Sequence, residues 1–213
     1  MSPVFLLVPA VLLAIGGAFA GSRWIEKCYD AEPDILSFPE KRSTQKKQRV
    51  KLLTPVLALI FCYTLLTTPQ SGFLRCALIL CYQYFLVLYT FTDFEQQVIF
   101  DKMYLPFAAL GLIALYVFSF PVYDHFTAFF AGGIIFLLIS ILTRGGIGGG
   151  DIKLIALIGL WVGTAQLETI AIAGIVLGGL AAGFLLLTHR LKKKEHFAYG
   201  PYFTIVALLL SII

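Results

Sequence analysis

An all-α, polytopic membrane protein of about eight transmembrane helices is the fold class this sequence predicts. Three observations predict it. Of 213 residues, 59% are hydrophobic and only 13% are charged. Mean hydropathy is +0.89, which excludes a soluble globular domain. The apolar residues gather into stretches near the ~20 residues that cross ~30 Å of hydrocarbon. The charges fall between those stretches.

The first segment is Val4–Ala20. It ends in Ala18-Phe-Ala-Gly-Ser22, which is similar to a signal-peptidase site, yet Met1-Ser-Pro3 brings no basic residue before it. A retained anchor is therefore expected. A basic loop from Gly21 to Lys51 follows, too short and polar to build its own core. It is expected to lie over the membrane domain or to be partly mobile. The next segments are Leu52–Thr67, Phe73–Phe91, Met103–Phe120 and Phe126–Thr143. Ile152–Val162, short and opened by glycines, comes sixth, before Thr169–Thr188 and Phe197–Ile213. Thr67–Gly72, Pro121–His125 and Gly163–Glu168 read as short turns between antiparallel helices.

With eight segments, the loops alternate sides. One side receives Arg23, Lys27, Lys41, Arg42, Lys46, Lys47, Arg49, Lys51, Lys102, Arg144, Lys153, Arg190 and Lys192–Lys194. The other receives only Arg75. Positive charge stays in the cytoplasm, so both termini are expected outside. The net charge of +4 thus reports topology and contact with membrane lipid, and no nucleic-acid partner is expected.

Smaller features read as packing. Gly174 with Gly178, and Gly179 with Gly183, have the spacing that lets helices touch, most simply within one chain. Trp24, Tyr104 and Trp161 lie near segment ends, as interfacial anchors do. Cys28 falls in the basic loop, and Cys62, Cys76 and Cys81 fall in apolar segments. No CxxC pair occurs, so neither zinc nor a disulfide framework is expected. His125, His189 and His196 lie in loops on different faces and form no metal constellation. No HExxH motif or Ser-His pair appears.

The chemistry gathers at Gly145-Gly-Ile-Gly-Gly-Gly-Asp-Ile-Lys-Leu154. A carboxylate at mid-bilayer costs roughly 2.5–3.5 kcal/mol, so Asp151 asks for a function. Asp93 ends another apolar segment, on the same face by the charge count. Two carboxylates a few ångströms apart share one proton. One can then take a proton from water while the other polarises a peptide carbonyl. The remaining acids fit less well. Glu26, Asp30, Glu32, Asp34 and Glu40 read as a solvated face, and Asp124 and Glu168 lie on the opposite side. Glu195 sits in a basic turn, and Glu95 is turned away from Asp93 by helical geometry. Asp101 reads as a helix N-cap. Lys153 reads as snorkelling to the interface.

These residues form motifs that resemble those of the type IV prepilin peptidases, a GxGD family of bacterial membrane aspartyl proteases. Gly148-Gly149-Gly150-Asp151 matches GxGD, followed by Ile152-Lys153-Leu154 and Gly159. Asp93-Phe-Glu-Gln-Gln-Val-Ile-Phe100-Asp101, continuing to Leu105-Pro106, resembles the other aspartate motif, with Phe100 where the family has proline. Phe197-Ala-Tyr-Gly-Pro-Tyr202 resembles the family's Pro-Phe-Gly-Pro-Phe element.

The resemblance implies catalytic Asp93 and Asp151. It implies substrate-binding or site-shaping roles for Gly148, Gly150, Lys153, Asp101, Gly200 and Pro201. The expected substrates are prepilins or pseudopilins, cut after a basic leader at the cytoplasmic face of a bacterial inner membrane. No cofactor is expected for that step. Many relatives also methylate the product with S-adenosylmethionine, using a larger first loop with two CxxC pairs. Those residues have no counterparts here, so that activity is not carried over. Residues 1–51 would be its reduced counterpart, and residues 52–213 the peptidase domain. The alternative is a small ion- or proton-coupled transporter, since acids beside a broken glycine-rich helix also suit that task. A catalytically silent assembly factor would not require both aspartates.

Overall fold

The structure, a computed structural model, describes residues 7–68, 72–188 and 199–212. Among these, all regular structure is helical. Seven α-helices run in order: α1 (Leu7–Ala31), α2 (Arg42–Thr67), α3 (Phe73–Gln96), α4 (Asp101–Phe118), α5 (Val122–Leu142), α6 (Gly149–Leu187) and α7 (Gly200–Ile212). By length and composition, α1 to α6 can each cross a membrane, and α7 is shorter. The all-helical, polytopic class is as expected. The count of eight separate segments is not confirmed, because the sixth and seventh fall within one element, α6.

The difference lies in α6. Its 39 residues contain one non-helical residue, Gly163, at φ 76° and ψ −179°. Only glycine adopts that conformation without strain. The chain turns back there. A Cβ on Gly132 of α5 would lie 3.0 Å from Leu167, beyond the break, and 3.5 Å from the Ile155 carbonyl before it. The arms 149–162 and 164–187 therefore take the places of the sixth and seventh expected segments. The expected turn Gly163–Glu168 shrinks to one residue because Asp124 of α5 caps the second arm. Its carboxylate accepts from the Thr164 amide at 3.2 Å and the Thr164 hydroxyl at 2.5 Å.

The basic loop is also much shorter than expected. Both helices extend beyond the apolar stretches, leaving only residues 32–41, with 3₁₀ turns at Pro33–Ile35 and Pro39–Lys41. Cys28 is thus helical and buried, not in a loop. α2 runs unbroken through Lys51 and packs along α1. The basic stretch 189–198, which holds His189, His196 and Glu195, lies outside the described residues, as do the start of the first expected segment and Phe197.

Hydrocarbon supplies no hydrophobic force between helices, so packing and hydrogen bonds must hold them. α3 is central, in contact with α2, α4 and α7, while α6 packs on α4, α5 and α7. Aromatic rings fill the centre: Tyr82 lies 5.1 Å from Trp161, and Phe107 lies 5.4 Å from both Phe85 and Trp161. Trp161 donates to the Phe107 carbonyl at 3.0 Å. It is a buried core residue, not the interfacial anchor its place near a segment end suggested. Gln83 is fully buried. It accepts from Thr64 of α2 at 2.9 Å and donates to Ser211 of α7 at 3.2 Å, tying three helices together. Such bonds average ~0.6 kcal/mol in membranes.

Gly174 packs beneath Phe203, and Gly178 beneath Tyr199 and Tyr202. The first glycine pair therefore serves contact with α7 inside the chain. Gly179 and Gly183 have no such neighbour within 4 Å among the described residues.

Candidate active site

Asp93 and Asp151 reach the same place from helix ends of opposite polarity. Gly148 is the N-cap of α6, in extended backbone, so Asp151 is the third helical residue and lies in the first turn. A carboxylate there meets the positive end of the helix dipole. The backbone of Gly148, Tyr199 and Gly200 lies close to it. Asp93 lies in the last turn of α3, where its carbonyl accepts from the Gln97 amide at 2.9 Å. Gln97 is left-handed, at φ 53°, and ends the helix.

Gly200, the first residue of α7, lies between them. A Cβ there would sit 2.5 Å from Asp93 Oδ2 and 2.8 Å from Asp151 Oδ1. Both carboxyl groups therefore face one point, and only a residue without a side chain lets them. Asp93 is 4% exposed and Asp151 7%. Asp93 Oδ2 is buried and has no hydrogen-bond partner among the described residues. Buried polar oxygens are rarely left so, and an unpartnered oxygen facing a second carboxyl is where chemistry can be done. Pro201 follows at the second helical position, which suits its fixed φ and missing N–H.

The other expected site residues are placed as follows. Gly150 faces Tyr104, whose hydroxyl donates to the Gly150 carbonyl at 2.7 Å. A Cβ on Gly148 would be 3.5 Å from Asp151 Oδ2. Asp101 is not an N-cap: that position is Phe100, and Asp101 lies in the first turn of α4. Its carboxylate accepts from Lys153 at 2.6 Å. Both side chains are more than half exposed, so the pair fastens α4 to α6 at the surface instead of letting Lys153 reach free to the interface. Tyr104 is buried, and so contributes to the site in place of an interfacial role.

Sequence reasoning missed a group around Glu95. Arg49 is fully buried. It donates to Glu95 through Nε at 2.9 Å and Nη2 at 2.6 Å, and to Glu26 at 3.0 Å. Tyr29 donates to Glu95 at 3.0 Å. Glu26 is therefore not part of a solvated face, and Glu95 is committed to this cluster. Nothing local marks Arg49 out from the basic residues around it; the signal would have been the pairing with an acid 46 residues away. Thr90 of α3 and Thr204 of α7, 2.6 Å apart, were likewise not singled out. On the other face, His125 is helical and buried, with Nδ1 2.9 Å from the Leu160 carbonyl. Among the described residues no cluster of three or more His, Cys, Asp or Glu could hold a metal ion.

Comparison with known proteins converges on the same segment. The family model described as the type IV leader peptidase family matches residues 76–213. A prepilin leader peptidase/N-methyltransferase of Neisseria gonorrhoeae is 35% identical over 127 residues, 57% of this chain and 43% of that protein. One of Bacillus subtilis is 39% identical over 72 residues, 33% of this chain and 29% of that protein. One of Aeromonas salmonicida is 29% identical over 169 residues, 75% of this chain and 56% of that protein. The chain spans about half the length of these curated relatives, or less. The transporter reading gains no support from them. No solved structure matches the chain.

Proposed function

We propose, from the premise that this chain belongs to the type IV leader peptidase family, that it is an aspartyl endopeptidase of the membrane. Its substrates are prepilin-like proteins, cut after a short basic leader at the cytoplasmic face of a bacterial inner membrane. The observation that carries this reading is the convergence of Asp93 Oδ2 and Asp151 Oδ1 on Gly200.

The chemistry divides between the two acids by their surroundings. Asp151, in the first turn of α6 where the helix dipole favours a negative charge, is the base. Asp93, whose Oδ2 has no donor among the described residues, carries the shared proton. Asp151 takes a proton from a water molecule as its oxygen attacks the scissile carbonyl carbon. Asp93 gives its proton to the carbonyl oxygen, which yields a neutral tetrahedral diol. The proton on Asp151 then passes to the leaving nitrogen, and Asp93 recovers one from a diol hydroxyl as the C–N bond breaks. Atoms and charge balance, and the shared proton is restored. Gly148 and Gly150 admit the substrate backbone beside the acids. Lys153, Asp101 and Pro201 shape the entrance.

The hydrolysis needs no cofactor. S-adenosylmethionine would serve only a methyl transfer, to which we assign no residue of this chain.

The test is incubation of the purified, detergent-solubilised protein with a prepilin bearing a basic leader, with and without S-adenosylmethionine. Intact mass identifies the products. Cleavage is expected, and Asp93→Asn or Asp151→Asn should lower its rate by at least ~10²–10⁴-fold in a folded protein. Full activity in either variant would overturn the dyad. An added methyl mass would reveal a second activity.

A further inference from the structure

The last turn of a helix leaves carbonyls without intrahelical partners. At the end of α3, which carries Asp93, the helix pair α1–α2 and the loop between them supply those partners. Gln45 of α2 donates to the Glu95 carbonyl at 2.7 Å. The Ser37 amide of the loop donates to the Gln96 carbonyl at 3.3 Å. The Gln96 side chain binds the loop in return: it accepts from the Phe38 amide at 2.8 Å and donates to the Phe38 carbonyl at 2.9 Å. It also lies 2.6 Å from Gln45 Oε1. One residue earlier, the Glu95 carboxylate receives the fork of Arg49 and the hydroxyl of Tyr29. Gln96 and Arg49 are both fully buried.

We propose that Arg49 and Gln96 are positioning residues for Asp93, through which residues 22–49 hold the end of α3 at the angle the dyad needs. The inference rests on the peptidase reading above. Its basis is that these bonds come from residues that precede the family match at 76–213. They meet Glu95 and Gln96, two and three residues after Asp93, where the helix is about to end at left-handed Gln97. Without them, the last turn of α3 would keep few ties, and terminal turns fray. A misplacement of ~1 Å at a reacting group costs on the order of a hundredfold in rate.

Two variants test this. Gln96→Leu keeps the volume and removes the strap to Phe38 and Gln45. Arg49→Met with Glu95→Met in the same chain removes the ion pair without leaving a buried charge alone, a change that buried pairs often tolerate. Arg49→Lys keeps the charge but not the fork. Cleavage of a prepilin with a basic leader is followed for kcat and KM, thermal melting in detergent checks folding, and hydrogen exchange follows the amides of residues 92–97.

Expected in Gln96→Leu and in the double variant is a fall in kcat of ten- to a hundredfold, with KM within threefold. Exchange at residues 92–97 should quicken while the rest of α3 is unchanged. Arg49→Lys should fall between these and the unaltered protein. Unaltered kcat in a folded variant whose exchange has quickened would overturn the positioning role. Unaltered exchange in both variants would overturn the clamp. An unaltered protein that cleaves nothing, with exchange still released by Gln96→Leu, would sink the peptidase reading. It would leave a purely structural clamp, which also overturns the positioning role.

Discussion

A methyl group on residue 200 would meet an oxygen of Asp93 at 2.5 Å and one of Asp151 at 2.8 Å. Neither carboxyl can swing far, because both side chains are buried. Gly200→Ala should therefore part the acids or tilt α7, and kcat should fall ~100-fold. Stability is a separate matter. Ala is favoured over Gly in a helix by roughly 0.5–1 kcal/mol, which offsets some of the crowding. The expected signature is loss of cleavage with a melting temperature near that of the unaltered protein, and an active Gly200→Ala would show that the acids do not need this closeness. The two aspartates, and Gly200 beside its proline, were legible in the sequence because membrane acids are costly and the motifs are local. Tyr104 and Arg49 were not. The first resembles any interfacial tyrosine, and the second any cytoplasmic arginine, until a partner from another helix is in place.

At the scale of elements, Gly163 divides α6 and is held from outside the helix. Its φ of 76° is left-handed, and the carboxylate of Asp124 occupies the space a side chain would need. Gly163→Ala should cost ~1–3 kcal/mol from backbone strain. Asp124→Ala, which removes the cap on Thr164, should cost ~0.5–2 kcal/mol. Thermal melting in one detergent checks both, with cleavage retained below the melting temperature because the break lies at the far end of the arm that begins at Asp151. Equal melting temperatures for all three proteins would mean the break is not held this way. The two arms of α6 were legible as hydrophobic segments. The turn between them was drawn too long because Asp124 closes it from 40 residues away, and hydropathy records no such partner. The loop 32–41 was drawn too long for a related reason: polar residues extend α1 and α2 beyond hydrocarbon, paired with one another and with Glu95.

Across the whole molecule, the helix ends sort into two faces. On one lie the ends of α1 and α3, the starts of α2, α4, α6 and α7, and both aspartates. On the other, Arg75 at the start of α3 lies 5.8 Å from the ring of Phe118 at the end of α4, and Asp124 at the start of α5 meets the break in α6. By the charge bias, the first face is the one expected in the cytoplasm, as the proposed function requires. Burial of Arg49 in an ion pair takes one cation out of that bias and does not change its sign. A peptidase that removes a basic leader would need this orientation, because the charge rule that would keep Lys102 and Lys153 inside would keep a leader there too. Single cysteines in a chain freed of its four native ones report it. Lys47→Cys, on an exposed position of α2, should react with a membrane-impermeant maleimide only after cells are opened. Tyr123→Cys, at a residue 86% exposed near the start of α5, should react in intact cells. The reverse pattern would place the aspartates outside, where no retained leader could reach them, and the leader-peptidase reading would fail with the topology.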